Sequence, residues 1–236
     1  MILNAILFNI VFWAIMFFLF YIPVRRILRI RQTPITPIAR LPKAGTVKVR
    51  GRTFMNEQLQ NSPISDKQCV YWEVEIKHHQ SGSKTIGSWE SVLSEQSHQP
   101  ISIHDKTGAA KIMTGEWTSF NIARNDNITR AKGRWDNLDT RIKTLLPQAD
   151  RKYLNGLGRL YVTERIIQPK EDLFIYGHVE IQNDQAIFKP SEAHLLEIAD
   201  GNEQNLLSNL YGNLRGKIFA GLFIFLGGMW LIFNVK

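Results

Sequence analysis

The chain has 236 residues, 29 Lys plus Arg against 21 Asp plus Glu, a formal charge of +8 and a single cysteine, Cys69. That length holds one folded domain with attachments rather than two large domains. One cysteine excludes an intramolecular disulfide and any zinc site built on two or more thiolates. The charge is uneven, with nine bases between Arg25 and Arg52, no acid before Glu57 or after Glu203, and a slightly acidic stretch between. That pattern argues against a broad nucleic-acid surface.

Taken in chain order, Ile2 to Ile22 runs 21 residues without a charge, interrupted only by Asn4 and Asn9. As a helix it reaches about 31 Å, which predicts a transmembrane span over 2–22. It does not read as a cleaved signal, because the bases follow it and Phe17 to Pro23 offers no small-residue cleavage site. Residues 23–45 are expected to be a basic juxtamembrane spacer, made extended by Pro34, Pro37 and Pro42.

A mainly β domain, a compact barrel or sandwich with a few helices, is expected over 46–200. Its clearest strand is Cys69 to Lys77, where Val70, Trp72, Val74 and Ile76 share one face and Tyr71, Glu73, Glu75 and Lys77 the other. Other strands are expected at 46–54, 85–93, 101–104, 109–113, 160–167, 173–181 and 186–188, with turns at 105–108 and 183–184. Helical spacing appears over 136–154, with Leu138, Ile142, Leu145 and Leu146 on one face and Pro147 breaking it, and Ser191 is placed to cap a short helix through Ile198.

An amphipathic helix is expected over 202–217, with Leu206, Leu207, Leu210 and Leu214 on one side. It runs into a second predicted span, the 18 uncharged residues 218–235, where Gly221, Gly227 and Gly228 are a weak signal for close packing. The fold class expected is therefore a membrane protein: a β domain flanked by two transmembrane helices. Arg25, Arg26, Arg29 and Arg31 after the first span, and Arg215 and Lys217 before the second, are the membrane-surface candidates. By the positive-inside rule they place the centre on the cytoplasmic side of the membrane and both termini outside.

No catalytic, cofactor or metal residue is expected. His78 and His79 point to opposite faces of one strand, and neither His98 nor His104 completes a known ligand spacing. Cys69 has no base paired with it by motif. Ser62 and Ser65 flank Pro63 in a turn without a nucleophile elbow, and Gly156 and Gly158 lack the third glycine of a dinucleotide loop. Glu73 and Glu75 share a strand face, which is more often solvated than catalytic. Trp72, Trp89, Trp117 and Trp135 read as core and rim residues, not a stacking platform.

The motif order carries a resemblance. Leu59 to Ser65, with Ser62, Pro63 and Ser65, followed by Cys69-Val70-Tyr71, resembles the signature of the GIDE family, also called the "beside a membrane" domain. Asp105-x-Thr107-Gly108-Ala109 and the run from Glu164-Arg165 through Leu173 to Gly177 are similar to the same family. The family includes a mitochondrial outer-membrane ubiquitin ligase in which this domain recognises partners and a RING domain recruits the ubiquitin-charged enzyme. With Cys69 alone, a RING cannot be built in this sequence.

The resemblance implies a non-enzymatic, membrane-anchored interaction or scaffold module in a bacterial inner membrane that binds a protein partner, such as another membrane protein, or membrane lipid; the charge pattern gives no nucleic-acid partner. The competing reading is a ligase-like or other enzyme with an unrecognised site, which gains ground if His78, Glu73 and His104 share a pocket.

Overall fold

Alternation along the β-strands decides which faces close on each other. The structure is a computed structural model and describes residues 2–54, 59–80, 88–122, 127–133, 140–145 and 159–234. It divides into two units, 36–202 and the helical pair formed by 1–35 with 203–236.

In the larger unit the strands in chain order are β1 (Ala44–Thr53), β2 (Gln60–Asn61), β3 (Gln68–Cys69), β4 (Tyr71–Gln80), β5 (Ser88–Gln96), β6 (Ile101–His104), β7 (Ala109–Ile112), β8 (Thr118–Asn121), β9 (Ile128–Gly133), β10 (Leu160–Ile167), β11 (Asp172–Gln182), β12 (Gln185–Phe188) and β13 (Leu196–Asp200).

Five strands close a barrel in the order β1-β6-β7-β12-β11, because β11 pairs back onto β1 from Ala44↔Glu180 to Arg52↔Asp172. The far edge of β11 is shared: Leu173–Tyr176 pair with β13 and Val179–Gln182 with β12. β13 in turn runs parallel to β8. The β11–β12 hairpin turns at Asn183 and Asp184, both at positive φ (49° and 59°), a conformation that short polar side chains tolerate and hairpin twist favours. Inside the barrel Val49, Ile101, Ile103, Ile112, Ile175 and Phe188 are fully buried.

A second sheet, order β5-β4-β10-β9, is antiparallel throughout. The inner residues of β4 and β10, Val74, Ile76, Leu160 and Val162, pack with Ile142 of the short helix α2 (Thr140–Thr144). Trp72 joins that cluster, while Glu73 and Glu75 stay on the opposite face, as β alternation requires.

Two sequence expectations in this unit change. The segment 191–198 is not a helix: Ser191 and His194 form an isolated bridge, and Leu196 begins β13. All five residues of β13 are buried, so it presents no alternation, and its Leu and Ile spacing imitates a helical face. Of the helix expected over 136–154, α2 is the described part; 136–139 and 146–154, with Leu138, Leu146 and Pro147, lie outside the described residues. Trp135, Gly156 and Gly158 also lie outside them.

In the helical pair, α1 (Ile2–Gln32) and α3 (Glu203–Asn234) are each continuous. The expectation of two transmembrane spans over 2–22 and 218–235 is corrected: among the described residues no helix is long and apolar enough to cross a membrane. The two-span fold class, and the inner-membrane placement that rested on it, fall with that finding.

Neither helix is confined to its uncharged stretch. α1 continues through Pro23 to include Arg25, Arg26, Arg29 and Arg31, so the expected spacer is helical as far as Gln32. α3 opens on Glu203, Gln204 and Asn205. Part of the apolar surface is also turned onto the partner helix. The Phe12 ring lies 4.9 Å from that of Phe225, and a side chain added at the buried Gly221 would strike Met16. Phe12, Met16, Phe20, Leu214, Ile218 and Phe225 border a cavity of about 500 Å³ between the two helices.

Candidate functional site

The residues singled out by the resemblance gather into two hydrogen-bonded turns. The first is built on Glu164 of β10, which is fully buried. Its two carboxylate oxygens accept the backbone N–H groups of Ile64 (2.8 Å) and Ser65 (3.0 Å). The chain can present those N–H groups because it turns sharply after Pro63. Ser62 N–H donates to Lys67 O, Asp66 N–H donates to Ser62 O, and Asp66 adopts φ 57°. The Ser62 and Ser65 hydroxyls lie 2.7 Å apart, and Ser62 Oγ accepts from Lys67 N–H.

Cys69 closes this turn, buried, with its thiol directed to Gln60 O at 3.5 Å. Burial pushes the thiol up to about 11, and the nearby Glu164 carboxylate adds to the shift. It is therefore a thiol, not a thiolate nucleophile, at neutral pH. Tyr71 follows in β4, donating its hydroxyl to Gln96 Oε1 (2.9 Å) and stacking on Phe120. Burial, with Glu73 nearby, raises its phenol well above the ordinary value. Arg165, the neighbour of Glu164, points to the other face and pairs with Glu73 at 3.2 Å.

The second turn joins β6 to β7. Asp105 accepts from Thr107 N–H and Thr107 Oγ1 (both 2.6 Å), from Gly108 N–H (2.9 Å) and from Ile38 N–H (2.9 Å). Burial alone would raise this carboxyl, but the four donors outweigh it and hold it below the usual carboxylate value. Gly108 lets Ile38 approach: an added Cβ would sit 3.2 Å from Ile38 Cγ2. Gly177, the last motif residue, faces Leu196, whose Cδ1 would be 2.6 Å from an added Cβ.

Beside the second turn lies a cleft of about 490 Å³ lined by Arg50, Gly51, Arg52, His104, Lys106 and Asp172, together with Asp105. The barrel register sets Arg52 opposite Asp172 across β1 and β11. Arg52 Nε donates to Asp172 Oδ1 at 2.8 Å and its terminal nitrogen to Oδ2 at 3.3 Å. That hydrogen bond, and the opposite charge behind it, raise the Arg52 value further. Arg50 reaches the same carboxylate only at 3.7 Å. Gly51 turns its bare α-carbon toward Ile103 and the His104 carbonyl, where a Cβ would be crowded at 3.2 Å. The His104 ring packs 4.3 Å from that of Phe54.

The remaining sequence candidates are placed as follows. His78 is buried on the inner face of β4 with Nε2 3.8 Å from Glu90, whereas His79 lies on the outer face, edge-on to Trp89. Glu73 shares the outer face of β4, and His104 belongs to the barrel, so Glu73, His78 and His104 do not converge. Among the described residues no three His, Cys, Asp or Glu side chains are grouped to hold a metal ion. Arg25, Arg26, Arg29 and Arg31 ride on the last turns of α1, with Arg25 over the Tyr21 ring and Arg31 over Tyr211. Cations there complement the negative end of the helix dipole. Arg215 and Lys217 are exposed on α3.

Sequence reasoning missed the polar knot that ties β2 to the β5–β6 connection. Gln60 Nε2 donates to Ser97 Oγ and Gln99 Oε1, and its Oε1 accepts from Trp72 Nε1. It also missed the buried pair in which Asn127 Nδ2 donates to both oxygens of Glu171. Neither pairing leaves a local signal, because the partners stand 37 and 44 residues apart.

No known family, no curated protein and no solved structure matches the chain.

Proposed function

We propose that the chain is a non-enzymatic protein-interaction module related to the partner-recognition domain of the GIDE family. The observation that carries this reading is how the motif residues use their polar atoms. Glu164 and Ser62 accept from backbone N–H groups of the turn after Pro63, Asp105 accepts from those of its own turn, and the Cys69 thiol is buried and raised. Groups so engaged hold turns in place, and a buried thiol with a raised value is no thiolate nucleophile at neutral pH. The polar feature that does face solvent is the arginine cleft of the barrel, which suits recognition.

The test has two arms. A photo-crosslinking residue is placed at Arg50 and, as control, at the exposed Ser91 of β5 in the full chain, and the covalent products formed in cells are compared. A discrete product specific to Arg50 is expected. Equal labelling from both positions would remove the reading, and so would transfer of ubiquitin by the purified chain in the presence of activating and conjugating enzymes.

A further inference from the structure

We propose that the cleft binds an extended acidic peptide segment of a partner, its carboxylate held by Arg50 and Arg52 and its backbone paired with β1 at Arg50. The inference rests on the interaction reading and names the chemistry of the partner. Two observations meet at one residue.

The first is the hydrogen-bonding sense of β1. Thr53 N–H donates to Glu171 O, so the odd-numbered residues of β1 turn their peptide groups toward β11. Lys48 O accepts from Thr36 N–H on the other side, which assigns the even-numbered residues to that side. There β6 covers Arg52, paired with His104, and Phe54, whose N–H donates to Ser102 O. Arg50 lies between these two covered positions. β6 has ended by then, and the chain turns back as Asp105 N–H bonds Gly108 O. The Arg50 N–H and C=O therefore face the cleft, with no strand beside them among the described residues, and one residue of an extended peptide can exchange two hydrogen bonds with them.

The second observation is charge. Arg50, Arg52 and Lys106 line the cleft against Asp105 and Asp172. Asp105 already accepts four donors from its own turn and from Ile38. Asp172 is held by Arg52 at 2.8 Å, whereas its contact with Arg50 is 3.7 Å. The Arg50 guanidinium thus has donors to spare, and it stands on the residue whose peptide groups are open. A carboxylate two residues along from the paired peptide unit falls on the same side as Arg50 or Arg52, because strand side chains repeat every second residue.

The experiment measures fluorescence anisotropy of the full chain with a fluorescein-labelled hexapeptide of alternating Glu and Val. Arg50→Ala and, on the exposed turn, Lys106→Glu are each expected to weaken binding about five-fold, the range of a solvent-exposed ion pair. N-methylation of the peptide backbone is expected to weaken it by about ten-fold, since it removes the donor that β addition requires. Equal binding of the methylated peptide would overturn the proposal and leave a merely cationic patch. Binding that neither variant alters, or no binding at millimolar peptide, would overturn it as well. A crosslinked partner at Arg50 in the face of such a result would keep the interaction reading and sink only the acidic-peptide assignment.

Discussion

Glu164 and Asp172 are both strand carboxylates with two close donors, yet they sit in opposite surroundings. Glu164 is fully buried, and both donors are backbone N–H groups of the 62–66 turn. Asp172 has a side chain 38% exposed, and its donors are guanidinium nitrogens on side chains 56% exposed. A buried carboxylate that loses its partners keeps the full cost of desolvation, whereas an exposed one returns to water. Burial thus makes Glu164 a structural clamp, and exposure makes Asp172 a contact that a ligand can displace. The acid that the motif specifies maintains the fold, and an unspecified acid of the same run lines the cleft proposed for recognition, the reverse of what motif residues alone suggest.

The largest expected effect falls on the buried clamp. Glu164→Gln sets an amide NH₂ against one of the two N–H donors and should cost about 2–3 kcal/mol. Chemical denaturation of the full chain measures it as a lower midpoint with an unchanged slope. Cys69 reports the same event locally: its thiol is buried, raised to about 11 and adjacent to the turn, so thiol reagents should label the parent slowly and the variant faster. Unchanged stability and unchanged labelling would remove the clamp from the comparison.

Packing at Gly177 gives the next effect. Alanine there puts a methyl 2.6 Å from Leu196 Cδ1, and Leu196 is fully buried, so its side chain must shift within a packed core. A cost of about 1–2 kcal/mol is expected for such overpacking. Thermal unfolding measures it, and replacing Leu196 by Val in the Gly177→Ala background should recover part of the loss.

Asp105 stands between the two extremes, part-buried but held by its own turn. Its folded-state value is lowered, so the stability it contributes is fully present above the unfolded carboxylate value and is lost as pH falls through the folded one. Asp105→Asn is therefore expected to cost about 1 kcal/mol at neutral pH and progressively less as the solution is acidified below about pH 4. Denaturation midpoints of parent and variant across that range should converge. Curves that stay parallel would deny the carboxylate its role in the turn.

The same contrast explains what the sequence discloses. β4 is legible because Val74 and Ile76 are buried against a helix while Glu73 and Glu75 face outward, so its two faces differ in polarity. β13 is illegible because β11 and β8 flank it and its residues are buried on both faces. β8 fails differently: all four of its residues are half-buried, which blurs any period. The helical ends are legible as helix, but their pairing is not, and a run of apolar residues reads the same whether it meets lipid or another helix. At the cleft, Arg50 and Arg52 appear in sequence only as part of a basic run, because the carboxylate that positions them lies 120 residues from Arg52. The Asp105 turn, by contrast, is visible as Asp-x-Thr-Gly, since its donors are local.

The smallest expected change in stability is the one that isolates recognition from folding. Arg52→Ala removes the shortest ion pair of the cleft, yet both partners are reached by water and their attraction is screened. The midpoint of unfolding is therefore expected to stay within error of the parent. Asp172, no longer held by Arg52, keeps Arg50 as its nearest cation at 3.7 Å and should draw it inward. That leaves the cleft with one fewer cation and the other partly occupied, so the variant should lose acidic-peptide binding while retaining its fold. A fall in stability comparable to that of Glu164→Gln would mean that the guanidinium supports the barrel as Glu164 supports its turn, and the distinction between clamp and recognition surface would fail.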